Sequence, residues 1–345
     1  MKYTTLPNTD IKVSKICLGT MTWGNQNTQD EGFAQMDFAL DKGVNFFDVA
    51  ELYPVPATAD TYAETERIIG NWFTKTGNRD KIVLGTKIAG TGDYTAHIRT
   101  TGFSKEALNE AVNNSLKRLQ TDYIDLYQLH WPERETKMFG TRDYVHNPNN
   151  KWEDNFNEIL HDLDDIIKSG KIRQVGISNE GAWGTMRYLQ ESKVNNLPRM
   201  ITIQNAYNLL CRPFESDLAE VAHRENIGLL AYSPMACGEL SGKYIKGIAA
   251  DNARLKLFPR FNRYSGVTAT EATKRYLKIA EDNNMSLAQM SLAFVNERPF
   301  LTSNIIGATS LEQLEENIDS INISLSEDVM KAINAVHAEI PNPAP

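Results

Sequence analysis

The sequence predicts an α/β protein, a closed parallel (β/α)8 TIM barrel, and three observations predict it. Short β-branched apolar segments alternate with longer segments of helical period along the whole chain, eight such strand segments can be counted, and a polar residue closes nearly every one. Strands buried on both faces and separated by helices fit a closed barrel better than an open doubly wound sheet. Barrels of this kind often exceed the usual domain length, so residues 1–345 are expected to form a single domain.

The elements follow in order. Lys2 to Thr5 and Ile11 to Val13, around the turn residues Asn8-Thr9-Asp10, read as an N-terminal β-hairpin plugging the barrel floor. The strands are expected at Lys15 to Thr20, Asn45 to Ala50, Lys81 to Ile88, Ile124 to His130, Ile172 to Ser178, Met200 to Gln204, Ile227 to Ser233 and Phe300 to Gly307. Ser104 opens a helix ending near Leu119, Trp152 to Lys168 forms one that stops at Ser169-Gly170, and Thr268 to Asp282 forms another after Ser265-Gly266. Ser326, with Glu327 and Asp328 in the first turn, caps an extra C-terminal helix. The connections Leu52 to Asp60, Ala89 to Phe103, Trp131 to Lys151 and Pro234 to Gly266 are long, and in this architecture such loops build the site at the carboxyl end of the barrel.

Composition excludes several classes. With 44 acidic against 36 basic residues and a net charge of -8, the chain has no polyanion-binding character, so no nucleic-acid partner is expected. It begins without a charged-then-apolar leader and contains no run of membrane-spanning length, which points to a cytoplasmic protein with no membrane partner. Cys17, Cys211 and Cys237 are too scattered for a disulfide framework, and the six histidines show no ligand spacing, so no metal is expected. Ala89-Gly90-Thr91-Gly92 lacks the third glycine of a dinucleotide fingerprint. Nothing marks an oligomer interface.

Asp48, Lys87, His130, Ser178-Asn179, Gln204 and Tyr232-Ser233 each close an apolar run. Singly, each reads as a helix cap or a satisfied core group; together, at the end of a barrel where active sites sit, they read as a site. Charge at the end of a buried strand is costly unless paired, which singles out Asp48, Lys87 and His130. Tyr53 follows Asp48 closely. A phenol of reference pKa about 10 needs its developing phenolate stabilised if it is to donate a proton, and Lys87, fixed by Asp48, could do so while His130 orients a substrate oxygen. The same residues also fit a buried Asp48–Lys87 ion pair with Tyr53 as a rim aromatic.

The runs Phe47-Asp48-Val49-Ala50-Glu51-Leu52-Tyr53, Thr86-Lys87 and Ser115 to Pro132, which contains Leu129-His130-Trp131-Pro132, resemble the signatures of the aldo-keto reductase superfamily, and most closely its bacterial Tas-like branch of NADP(H)-dependent reductases. The resemblance extends from Leu18-Gly19-Thr20-Met21 to the C-terminal helix. It implies a catalytic tetrad of Asp48, Tyr53, Lys87 and His130 and an NADP(H) cofactor. Cofactor contacts are implied at Gly19, Thr20 and Met21; at Ser178, Asn179 and Gln204 for the nicotinamide carboxamide; and at Tyr232, stacked on the ring. A further set is implied in the loop Ser233, Pro234, Met235, Ala236, Gly238, Leu240, Ser241, Gly242 and Lys243, where small residues let backbone N–H groups approach the pyrophosphate. Gly307, Ala308, Thr309, Gln313, Glu316 and Asn317 resemble the adenosine-phosphate site at a helix N-terminus. Gly307-Ala308 stands where many members carry a Lys for the ribose phosphate, and Val49 where a Thr or Ser often follows the Asp; Arg254, ahead of Lys243, is the replacement cation expected for the 2′-phosphate.

The activity so implied is NADPH-dependent reduction of an aldehyde or ketone, with Tyr53 as general acid; a slow-turnover NADP-binding regulatory module, like potassium-channel β subunits, is the alternative. Trp23, Trp131, Phe139 and Tyr144 are expected to wall an aromatic substrate pocket.

Overall fold

In the computed structural model, which describes residues 1–345, the chain opens with an antiparallel pair, β1 (Tyr3–Thr5) and β2 (Lys12–Ser14). Eight parallel strands follow: β3 (Ile16–Gly19), β4 (Phe46–Asp48), β5 (Val83–Ile88), β6 (Ile124–Leu129), β7 (Ile172–Ser178), β8 (Met200–Ala206), β9 (Gly228–Tyr232) and β10 (Leu301–Ile306). They pair in chain order and β10 closes on β3, so the sheet is a complete barrel. Around it run α1 (Gln29–Asp41), α2 (Glu64–Thr76), α3 (Lys105–Leu119), α4 (Phe156–Lys168), α5 (Ala182–Asn195), α6 (Leu218–Arg224), α7 (Arg254–Leu257), α8 (Val267–Asp282), α9 (Leu287–Asn296), α10 (Leu311–Asp319) and α11 (Glu327–Glu339).

All eight expected strands are present, most of them shorter than read. The residues that close the runs leave the ladder because they turn: Asn179 and Ser233 take left-handed conformations, with φ 55° and 53°. The helix expected from Trp152 starts at Phe156, because Trp152 packs edge-on against the Phe156 ring, 5.7 Å away, and the Asp154 side chain accepts the Phe156 N–H at 3.3 Å. The serine caps behave as their chemistry dictates: Ser104 and Ser326 accept the N–H groups of Ala107 and Val329. Seven helices, α1, α2, α5, α6, α7, α9 and α10, have no individual mark in the sequence.

The barrel interior is layered. At the amino end, Cys17, Phe46, Leu126, Ile201, Leu230 and Ile305 form one apolar cluster with Leu6 and Val13 of the hairpin, which therefore seals the floor. Asn8 and Asn226 exchange amide hydrogen bonds of 2.9 and 3.0 Å and tie the hairpin tip to the turn before β9. Above that layer the interior becomes polar: Asp48, Lys87, Gln128 and Gln204 are all buried there. The apolar faces of the helices pack outside the sheet in a cluster of 70 buried residues. No helix is long and apolar enough to cross a membrane.

Candidate active site

Lys87 stands next to last in β5, with its ammonium buried in the polar layer. It donates to Asp48 Oδ1 at 2.6 Å and to the Val49 carbonyl at 2.7 Å. The other oxygen of Asp48 accepts from Gln204 Nε2 at 2.9 Å and from Gln128 Nε2 at 3.3 Å, and Gln204 also donates to Gln128 Oε1 at 3.1 Å. A buried ion pair is stable only when its remaining lone pairs are satisfied, and these two amides do that. Sequence reasoning missed Gln128. Its signal was available: it stands two residues before His130 and so shares the inward face of β6.

Tyr53 hangs over this pair from the turn after β4. Lys87 Nζ lies 5.0 Å from its ring centroid, and the His130 ring meets it edge-on at 5.8 Å. Burial, and next the Asp48 charge, push the phenol well above its ordinary range, while Arg254 draws it down. Tyr53 therefore carries its proton at neutral pH. Burial, with Lys87 adding to it, holds His130 well below its usual value, so the imidazole is neutral. Its Nδ1 is buried without a partner.

The polar groups expected around the nicotinamide are largely bonded to one another. Ser178 Oγ donates to the Gln204 carbonyl at 2.7 Å; Asn179 Nδ2 donates to the His130 carbonyl at 2.8 Å and to Ser178 Oγ at 3.1 Å; Tyr232 donates to Asn179 Oδ1 at 2.6 Å. The Tyr232 ring is thus fixed in orientation relative to His130. On the opposite side Thr20 Oγ1 donates to the Asp48 carbonyl at 2.9 Å, and Gly19 is where β3 meets β10 so closely that a Cβ would lie 2.9 Å from the Ile306 oxygen.

The loop after β9 follows its small-residue pattern. Ser233, Ala236, Gly238 and Gly242 all have positive φ, between 47° and 94°, with Pro234 and Met235 between them. Leu240 is buried, Ser241 Oγ donates back to the Gly238 carbonyl at 2.7 Å, and the Lys243 ammonium lies over the Tyr244 ring at 5.4 Å. At the end of β10, Asn317 Nδ2 donates to the Gly307 carbonyl at 3.1 Å, Gln313 accepts from Thr309, Glu316 accepts from Ser286, and Ala308 is buried at the head of α10. Arg254 stands apart from that group. Its Nη2 donates to the Val55 carbonyl at 3.2 Å beside Met21, its face lies on Phe261 at 4.6 Å, and Nε and Nη1 are buried with no partner. Two buried, orphaned donors on one guanidinium fit an anionic group such as a phosphate.

Of the four aromatics expected at the substrate wall, Trp131 lies 5.1 Å from the His130 ring and donates to the Thr91 carbonyl, and Phe139 packs edge-on against it at 5.7 Å. Phe139 also lines a cavity with Asn179, Tyr232 and Arg263, on the β7–β9 side of the tetrad. Trp23 is a correction: it is fully buried, its indole N–H donates to Gln35 Oε1 at 3.0 Å, and α1 crosses it at Gly32, so it belongs to the core. Tyr144 is 62% exposed and lies outside the cavity wall.

Known proteins match this chain along its length. The family model described as aldo/keto reductase family matches residues 15–338. The protein called Protein tas in Escherichia coli (strain K12) is 44% identical over 352 residues, covering 100% of each chain. The uncharacterized oxidoreductase YrpG of Bacillus subtilis (strain 168) is 32% identical over 97% of this chain and 96% of its own. Norsolorinic acid reductase B of Dothistroma septosporum is 28% identical over 96% of this chain and 80% of its own.

Proposed function

This chain belongs to the aldo/keto reductase family, and from that premise we propose that it is a cytosolic NADPH-dependent reductase that converts an aldehyde or ketone to the alcohol with Tyr53 as general acid. Membership makes it an oxidoreductase of carbonyl compounds that uses a nicotinamide cofactor. The observation that supports the finer reading is a protonated, partly buried phenol beside an ammonium fixed by Asp48, whose other oxygen Gln128 and Gln204 hold.

The cofactor, when bound, supplies the hydride. Neutral His130 donates one N–H to the carbonyl oxygen and turns it toward Tyr53. As negative charge gathers on that oxygen, Tyr53 gives up its proton, and the Lys87 ammonium stabilises the phenolate left behind. Because Lys87 is anchored beforehand, little reorganisation accompanies the transfer. Ser178, Asn179 and Gln204 would hold the carboxamide, Tyr232 the ring face, the loop from Ser233 to Lys243 the pyrophosphate, and Arg254 the 2′-phosphate. Trp131 and Phe139 would contact the substrate.

Mixing the protein with NADPH and a panel of aldehydes and following cofactor absorbance tests this, with many turnovers expected. A single stoichiometric oxidation would instead favour a regulatory module. In Tyr53→Phe, turnover is expected to fall by about 10² or more while NADPH affinity stays nearly constant, because the hydroxyl acts only in proton transfer. Wild-type turnover in that variant would remove Tyr53 from the mechanism.

A further inference from the structure

The segment from Asp48 to Tyr53 is fastened to β5 and its extension at three points. The Val49 and Glu51 N–H groups donate to the Gly85 and Lys87 carbonyls at 2.9 and 3.1 Å. The Glu51 carboxylate then accepts the Ala89 N–H at 3.0 Å. That carboxylate is 2% exposed, and a buried charge demands a counter-charge. Arg99, in the long connection after β5, provides it: Nη1 donates to Oε2 at 2.5 Å, Nη2 to Oε1 at 2.8 Å, and Nη1 also reaches the Ala89 carbonyl at 3.5 Å. A planar fork engaging both oxygens fixes the orientation of the carboxylate as well as its charge.

Tyr53 depends on this arrangement because no hydrogen bond joins it to Lys87. The Lys87 hydrogen bonds go to Asp48 and Val49, and the phenol is carried by a turn in which its own N–H donates to the Ala50 carbonyl at 3.0 Å. Glu51 sits inside that turn. The separation of phenol and ammonium is therefore set through the backbone, and Arg99 locks the residue at its midpoint.

We propose that Arg99 is a positioning residue for the proton step: by neutralising and orienting Glu51 it holds Tyr53 at its working distance from Lys87. The inference rests on the carbonyl-reductase reading given above. In the step concerned, the Tyr53 O–H bond breaks as an O–H bond forms to the substrate oxygen, and Arg99 touches neither substrate nor cofactor.

The test uses the full chain with NADPH and an aldehyde that the wild type reduces. Arg99→Met is expected to lower kcat by about 10- to 100-fold, the scale on which small misplacements act. NADPH affinity and KM should change by less than about threefold, as for an interaction felt only in the transition state. The solvent deuterium isotope effect on kcat should rise, because proton transfer becomes slower relative to other steps, and Arg99→Lys should recover part of the rate. Wild-type kcat and isotope effect in folded Arg99→Met would overturn the inference, as would a loss of NADPH binding in proportion to kcat, which marks general loosening. Should Arg99→Met not fold, Glu51→Gln keeps the acceptor for Ala89 and removes the charge, and the same isotope signature decides. No turnover by the wild-type chain sinks the reductase reading and this inference with it; normal turnover by the variants sinks the inference alone.

Discussion

Arg254 carries two guanidinium nitrogens that are buried and unpartnered, and desolvation by burial lowers its pKa. Such a group gains most from a ligand that brings its own negative charge. A charge-assisted hydrogen bond contributes about 1.5 to 3 kcal/mol, so Arg254→Ala is expected to weaken NADPH binding by roughly 10- to 150-fold. NADH has no 2′-phosphate and should bind almost as before. Fluorescence titration with both cofactors decides the matter, and equal losses for the two would remove Arg254 from the phosphate. His130 yields a prediction about pH. Its folded-state pKa lies well below the ordinary 6.5, so the unfolded chain binds the extra proton first and stability falls as pH drops below about 6.5. Urea midpoints at pH 7 and pH 5 should converge in His130→Gln relative to wild type; an unchanged pH dependence would show that His130 titrates normally. The placement of the tetrad residues was legible in the sequence because an ionisable side chain at the end of an apolar run is rare without a partner. Trp23 was misread because an aromatic after a strand looks the same whether it faces the site or folds back under α1.

Elements were legible in proportion to how far their own residues decide them. β3 to β10 declare themselves by continuous apolar runs, whereas α2 is held by a contact distant in sequence. Gly70 in α2 packs so closely on α3 that a Cβ there would lie 2.2 Å from the Arg118 carbonyl oxygen and 2.8 Å from the Leu119 carbonyl carbon. Helix propensity alone favours Ala over Gly by about 1 kcal/mol. Sterics oppose it, since both atoms belong to backbone and neither helix can yield without moving. Gly70→Ala should therefore destabilise, by about 1 to 3 kcal/mol as in other overpacked interiors. The crossing also bears on the site: Arg118 pairs with buried Glu66 of α2 at 2.6 Å, and Glu66 accepts from Thr86, the neighbour of Lys87, at 2.6 Å. Denaturant unfolding of the variant measures the effect, and a rise in stability would show that the helices can part cheaply. Nothing in the local sequence around Gly70 announces that α3 lies against it.

At the scale of the whole molecule, the closed ring and the hairpin plug were legible because both follow from counting apolar runs and turns. The path of the chain after α11 was not, because it depends on contacts made across the barrel mouth. There the Leu210 carbonyl accepts the Ala344 N–H at 3.1 Å, Arg142 donates to the Asn342 carbonyl at 3.1 Å, and Arg263 donates to the Pro345 oxygen at 3.0 Å. These partners come from the connections after β6, β8 and β9, so residues 342–345 lie on the same rim as Tyr53, Lys87 and His130. Met1 lies at the other end, where Tyr3 donates to the Gly43 carbonyl just before β4. The two ends of the chain thus stand on opposite faces of the barrel. A segment joined before Met1 emerges beneath the hairpin, whereas one joined after Pro345 begins beside the cavity that Pro345 lines with Phe139, Asn179 and Tyr232. For the same reason a circular permutant of this barrel needs a linker as long as the barrel is tall, and a short one would pull open either the floor or the mouth.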